Sequence, residues 1–339
     1  MRTNLRVLIS GFGSSGQRFF SVVRKWAPRC AILVHTSQAT LTNGVDSTNS
    51  VAEAAAFRPD LLVICGSADN RFQVIQALSV PPSGILIEKP FALDFDQGLV
   101  LRELLKALGS TISVGYNLRF SPSLSDFRAR LQRKEMGEIL GVRAETGQFL
   151  PNWRPGRDYR VSVSAQAHKG GGVLRELSHE LDYLRWIFGD IEWISATFGR
   201  YSKLDIDVED TAHMTLGFAP AHQSRPFVGQ LNLDFVRHDR SRWVVALCDR
   251  GSLKWDGISG QVLAYREGAN RWELLFDEPP SVSTYELQWA SFVDSVQRQA
   301  SIAATPDEAL QVLQIIEAAR ISDSRSGARV LTAGVGTKF

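Results

Sequence analysis

The stretch Arg6-Val7-Leu8-Ile9-Ser10-Gly11-Phe12-Gly13-Ser14-Ser15-Gly16 decides the fold. Its opening half, with Val7, Leu8 and Ile9 at the centre, reads as a strand. The run passes directly into G-x-G-x-x-G, after which Phe19, Val22, Val23 and Trp26 recur at helical spacing. Between a strand and a helix the three glycines have separate tasks: Gly11 makes the tight turn, Gly13 lets backbone approach a pyrophosphate, and Gly16 permits close helix packing. The N–H groups at the helix start then face the phosphates. Glycine-rich turns also occur in α/β proteins that bind no dinucleotide, so the motif counts for its strand-to-helix setting.

Working outward, the alternation continues. A strand at residues 30–34 ends at His35-Thr36-Ser37, where an NAD enzyme usually offers an acid to the ribose about 20 residues after the first glycine. No carboxylate stands there. Thr36 and Ser37 suit hydrogen bonds to a 2′-phosphate, although no arginine adjoins them, so the expected cofactor is NAD or NADP with a tilt towards NADP. Residues 43–55 run from polar loop to a short alanine-rich helix. The buried strand at 61–65 leads through Gly66 and Ser67 to a helix carrying Phe72, Ile75 and Leu78.

Next comes Gly84-Ile85-Leu86-Ile87-Glu88-Lys89-Pro90, an apolar run that ends abruptly in a carboxylate, an amine and a proline. Pro90 cannot donate to a sheet ladder, so the strand stops near Lys89. In open α/β sheets ligands bind beyond the carboxyl ends of the strands, which delivers Lys89 to the mouth of a crevice. The bland alternative is a surface lysine after an edge strand. A helix at Phe95–Leu108 and a strand at 111–116 extend the pattern. Residues 1–120 are therefore expected as a Rossmann-type, doubly wound parallel sheet.

The texture changes at Tyr116-Asn117-Leu118-Arg119-Phe120. Residues 121–339 are expected as a second, α+β domain with a mainly antiparallel sheet, since β-rich runs fill 191–275 and amphipathic helices close the chain. A polar and aromatic loop, Pro151-Asn152-Trp153-Arg154-Pro155-Gly156-Arg157-Asp158-Tyr159-Arg160, suits binding or a subunit contact. Gly170-Gly171-Gly172 then precedes one helix over 173–184. Leu174, Leu177, Leu181 and Leu184 share its inner face, and Glu176, His179 and Tyr183 the outer. A polar helix face is usually just solvated; the glycines, which let another body approach, mark this one as a candidate site.

With 38 basic and 36 acidic residues the net charge is +2, which makes no electrostatic case for nucleic acid or a membrane surface. Cys30, Cys65 and Cys248 are too scattered for a disulfide framework or a thiolate metal site, and no metal is expected. No apolar run approaches the roughly 18 residues of a membrane span. Without a signal-peptide pattern, a cytoplasmic protein is expected.

GFGSSG after the first strand, Glu88-Lys89-Pro90 after a later one, and Gly170-Gly171-Gly172 before a helical His179 together resemble the Gfo/Idh/MocA family (glucose-fructose oxidoreductase and inositol dehydrogenase) over nearly the whole chain. The resemblance implies an NAD(P)-dependent dehydrogenase or reductase acting on CH–OH groups of a sugar, nucleotide sugar or polyol, with Lys89 contacting substrate and cofactor and His179 serving as acid and base. The family commonly has an Asp four residues before the histidine; here Glu176 stands three before it and Asp182 three after, and the partner stays open between them. Expected at the cofactor are Gly11, Phe12, Gly13, Ser14, Ser15, Gly16, His35, Thr36, Ser37, Gly66, Ser67, Glu88, Lys89 and Pro90. Expected at the substrate are Asn117, Arg119, Trp153, Arg157, Tyr159, Arg160 and His179. The segment around Arg119 and the Trp153 loop look like members found with bacterial surface-sugar biosynthesis, which implies a sugar or nucleotide-sugar substrate and a homodimer or homotetramer. The reading from another class is a cofactor- or sugar-sensing regulator on the same scaffold, which would not need both Lys89 and His179.

Overall fold

A computed structural model of the chain describes residues 5–38, 44–66, 68–219, 225–279, 281–300 and 302–335. In chain order the main elements are β1 (Arg6–Ser10), α1 (Ser14–Trp26), β2 (Ala31–His35), β3 (Ser47–Thr48), α2 (Val51–Ala56), β4 (Leu61–Ile64), α3 (Ala68–Ala77), β5 (Gly84–Ile87), α4 (Phe95–Leu108) and β6 (Thr111–Val114). There follow α5 (Pro122–Gln132), β7 (Ile139–Gly147), α6 (Val173–Glu176), α7 (His179–Phe188), β8 (Ile191–Gly199), β9 (Thr211–Phe218), β10 (Phe227–Asp234) and β11 (Ser241–Cys248). The chain closes with β12 (Gly251–Asp256), β13 (Gln261–Arg266), β14 (Glu273–Asp277), α8 (Thr284–Arg298), α9 (Pro306–Ser324) and β15 (Val330–Leu331).

Two compact units result: Met1–Asn117 with Ser283–Leu313, and Leu118–Val282 with Gln314–Phe339. A single division at residue 120 misses the return of Ser283–Leu313 to the first unit. The physical reason lies in the core. Trp289, Phe292 and Val293 of α8 are buried in one apolar cluster with Val7, Ile9, Phe19, Val23, Ile32 and Val63. A Cβ on Gly84 would sit 2.4 Å from Val296 Cγ2, so α8 lies directly on the start of β5.

The first unit's sheet has the parallel order β3-β2-β1-β4-β5-β6, the doubly wound order that reverses between β1 and β4. Every residue of β4 and β5 is buried, which is why these strands read as unbroken apolar runs rather than alternating ones. The helices are bounded by local chemistry. Asp94 caps α4 by accepting from Gln97 N at 2.8 Å, and Gly109 ends it in the left-handed region at φ 64°.

The second unit carries the order β14-β13-β12-β11-β7-β10-β9-β8-β15. All its pairings are antiparallel except β7 with β10. Strand β10 shows the alternation of a half-covered sheet, with Phe227, Gly229, Leu231 and Leu233 buried between more exposed neighbours. Among the described residues no helix is long and apolar enough to cross a membrane.

Candidate active site

In the first unit, the loops after β1, β2, β4 and β5 leave the sheet at its carboxyl ends, and the chemistry-bearing residues sit on them. Gly11 takes φ 91° and donates from N to His35 O at 2.8 Å, tying the glycine turn to the end of β2. A Cβ on Gly11 would lie 2.4 Å from Gly66 N, and one on Gly16 would lie 2.0 Å from Gly11 O. Gly16 is thus a steric necessity of the turn itself, and Gly11 of the close approach of the loop after β4. Gly13 differs: its Cβ would meet nothing within 4 Å, so it leaves open space in front of α1. That helix start has no side-chain cap and no acid in its first turn. Its outward N–H groups are those an anion satisfies, and the residues present therefore fit the pyrophosphate of a dinucleotide.

At the end of β2, His35 Nδ1 lies 3.1 Å from Ser10 Oγ, and burial holds the imidazole below its ordinary value, favouring the neutral ring. Thr36 is buried and its Oγ1 accepts from Gln38 N at 3.2 Å, whereas Ser37 is exposed. Phe12 O accepts from both Gln17 Nε2 and Gln38 Nε2 at 3.3 Å. Ser67 lies outside the described residues.

Glu88 and Lys89 leave β5 side by side, and the Lys89–Pro90 peptide is cis. Lys89 is half-buried, whereas Glu88 is only 5 % exposed. Burial raises the Glu88 carboxyl to about 7 against the opposing pull of Lys89, Arg71 and Arg18. Gly115 makes room for it, since a Cβ there would lie 3.0 Å from the carboxyl group. Arg71, which the sequence reading passed over, is 3 % exposed beside Glu88, and burial lowers its guanidinium to about 10. Asn117 Nδ2 donates to Thr284 Oγ1 at 2.7 Å, an anchor at the point where α8 rejoins the unit. A cavity of about 660 Å³ lined by Leu5, Trp26, Cys30, Leu61 and Val296 opens at the other, amino ends of the same strands and holds none of these groups.

In the second unit the expected single helix over 173–184 is two, α6 and α7, broken at Leu177 and Ser178. His179 is thus the first residue of α7 and is half-buried. The start of α7 is enclosed all round, with every residue from Glu180 to Leu184 buried, so Tyr183 is not on an outer face but packs edge-on to Trp255 at 5.5 Å. Glu176 ends α6 and accepts from Ser164 Oγ at 3.1 Å. Both carboxylate oxygens of Asp182 take the Arg119 fork, Nη2 to Oδ1 at 2.6 Å and Nε to Oδ2 at 2.9 Å, with both side chains buried. That pair gives Arg119 a buried internal partner.

The glycine run also has an internal explanation. A Cβ on Gly171 would lie 2.3 Å from Val163 O, and one on Gly172, at φ 104°, would lie 2.3 Å from the Glu209 carboxylate. The body that approaches the helix start is thus Glu209, whose Oε1 accepts from Leu174 N at 3.2 Å and whose carboxyl burial raises. In the polar loop, Trp153 packs edge-on to Phe235 at 5.1 Å and donates from Nε1 to Gln148 O at 3.0 Å. Asp158 holds Arg160 through a two-point contact at 2.9 and 2.8 Å, and Tyr159 Oη accepts from Asp205 N at 3.2 Å. Arg157 is exposed, and among the described residues its guanidinium takes no partner.

Residues 125–254 match the model of the GFO/IDH/MocA C-terminal domain. Around that domain the relatives are distant. Inositol 2-dehydrogenase of Rhizobium meliloti is 28 % identical over 44 % of this chain and 42 % of its own. The chain spans about half the length of the curated relatives it matches. Solved structures extend the likeness in fold to nearly all residues. The WlbA dehydrogenase from Bordetella pertussis, in complex with NADH and UDP-GlcNAcA, superposes with a TM-score of 0.78 at 19 % identity over 97 % of this chain and 98 % of that one. Levoglucosan dehydrogenase, in complex with NADH and levoglucosan, gives 0.80 at 16 % identity over 97 % and 99 %. What this chain shares with them is the fold, a parallel sheet unit and a unit with a mainly antiparallel sheet.

Proposed function

We propose that the chain is an NAD(P)-dependent oxidoreductase that moves a hydride between a nicotinamide cofactor and a hydroxyl or carbonyl carbon of a sugar, with a nucleotide sugar as the preferred class. One observation carries this reading: an uncapped helix start with open space at Gly13 stands on the same sheet edge as Lys89. The nicotinamide, when bound, supplies the hydride acceptor or donor. The protein's own task is the proton, because a carbinol carbon releases hydride readily only as its hydroxyl proton leaves. His179, at the head of α7, is assigned to take that proton. Lys89 is assigned to stabilise the developing alkoxide, where one preorganised donor is worth about 3 to 4 kcal/mol. In the reducing direction the same groups protonate the new alcohol.

Arg157 gives the substrate class its support, since a free guanidinium fork matches phosphate or carboxylate geometry. The names of the two structural neighbours agree with a sugar-type substrate, one of them a nucleotide sugar. Assembly as a homodimer or homotetramer is part of the same proposal. The test is turnover of a panel of free and UDP-linked sugars with NAD and NADP by wild type, Lys89→Ala and His179→Asn. Cofactor binding with no turnover across the panel, unaffected by either substitution, would favour a sensor instead.

A further inference from the structure

We propose that Arg71 is a positioning residue, which clamps the loop that carries Lys89 to the loop that carries the glycine turn. The proposal rests on the functional reading above for the role of Lys89, while its geometry stands within the first unit alone. Arg71 projects from α3 and is 3 % exposed. Its Nε and Nη2 both donate to Gly66 O at 3.3 Å, and its Nη1 donates to Phe91 O at 2.9 Å and also to Pro90 O. Gly66 follows β4, while Pro90 and Phe91 follow Lys89 beyond the end of β5. All three carbonyls lie past their strands, where the sheet ladder no longer supplies donors, and buried carbonyls need one.

The clamp acts on the cofactor side through Gly66. Its N donates to Ser10 O at 3.0 Å, and it presses so closely on Gly11 that a Cβ there would lie 2.4 Å from Gly66 N. One guanidinium therefore fixes the distance between the turn proposed to receive the pyrophosphate and the residue proposed to meet the reacting oxygen. Glu88 interacts electrostatically with the same guanidinium and with Lys89, so the clamp also sets the charge around the amine. Only a planar fork reaches three carbonyls at once; a lysine brings the charge without the span.

The experiment compares wild type, Arg71→Lys and Arg71→Met as full-length protein. Hydrogen exchange of the peptide after Lys89 is read in the apoprotein, the rate of amine labelling at Lys89 is mapped by mass spectrometry, and affinity is measured with NADH and NADPH. We expect Arg71→Met to speed exchange in that peptide at least ten-fold, to change Lys89 labelling several-fold and to weaken the better cofactor at least five-fold, with Arg71→Lys in between. Exchange and labelling both within two-fold of wild type in folded Arg71→Met overturn the proposal; if that variant does not fold, Arg71→Lys is judged by the same limits. A wild-type protein that binds neither cofactor sinks the functional reading instead, and exchange still decides the clamp.

Discussion

Glu88 carries the clearest pH signature of any single residue. Its carboxyl is raised to about 7 by burial, above the ordinary 4.5. The sign follows from proton counting: between these two values the folded protein binds more proton than the unfolded chain, so stability falls as pH rises and levels off above about 7. The full effect is on the order of 3 kcal/mol. Glu88→Gln removes the ionisation, so its urea midpoint should stay flat relative to wild type from pH 5 to 8, and a parallel decline in both proteins would show that Glu88 titrates normally. At Lys89 the expectation concerns rate. Lys89→Ala should retain the fold and bind cofactor while losing roughly a hundred- to thousand-fold in turnover; near wild-type turnover would remove the amine from the reaction. Arg157 and Arg160 should likewise diverge. Arg160 is already held by Asp158, so Arg157→Ala is the variant expected to raise KM for an anionic sugar, by about ten- to hundred-fold, and equal behaviour of the two would assign the loop to another task.

At the scale of elements, the glycine turn allows two neighbouring substitutions to be told apart. Gly11→Ala meets both a φ of 91° and a backbone atom 2.4 Å away, whereas Gly13→Ala meets nothing. Gly11→Ala should therefore lower the melting temperature by several degrees. Gly13→Ala should leave the melting temperature of the apoprotein unchanged and weaken NADH and NADPH; cofactor affinity equal to wild type would mean that nothing approaches Gly13. This turn was legible in sequence because its three glycines stand at fixed spacing between a strand and a helix, although the atom that crowds Gly11 belongs to the distant Gly66, and the bounds expected for α4 hold because its caps are adjacent residues. What sequence did not reveal is set by distant partners. The room at Gly172 depends on Glu209, and the use of Arg119 depends on Asp182, which is 63 residues away. A 3.6-residue period predicts an outer face that α7 does not have, since Glu180 to Leu184 are all buried, and no local pattern marks a buried fork such as Arg71 as anything but a surface arginine.

The whole molecule poses the same problem at its largest separation. An amphipathic period shows that α8 buries one face without saying which sheet receives it, and the chain places about 170 residues between β6 and α8 before that face meets β5. The consequence is that the first unit is not a contiguous domain. A fragment of residues 1–120 keeps all six strands of the parallel sheet but loses Trp289, Phe292 and Val293 from its core. It also uncovers Gly84, over which Val296 and Phe292 lie within 3 Å of a missing Cβ. Deleting three large buried side chains costs about 2 to 5 kcal/mol each, comparable in sum with the 5 to 15 kcal/mol that holds an ordinary domain together. The 1–120 fragment is therefore expected to show no cooperative thermal transition, and joining residues 283–313 to it through a flexible linker should restore one. Cooperative melting of 1–120 alone, at a temperature close to that of the joined fragment, would mean that α8 merely rests on the sheet and that its return contributes nothing to the unit's stability.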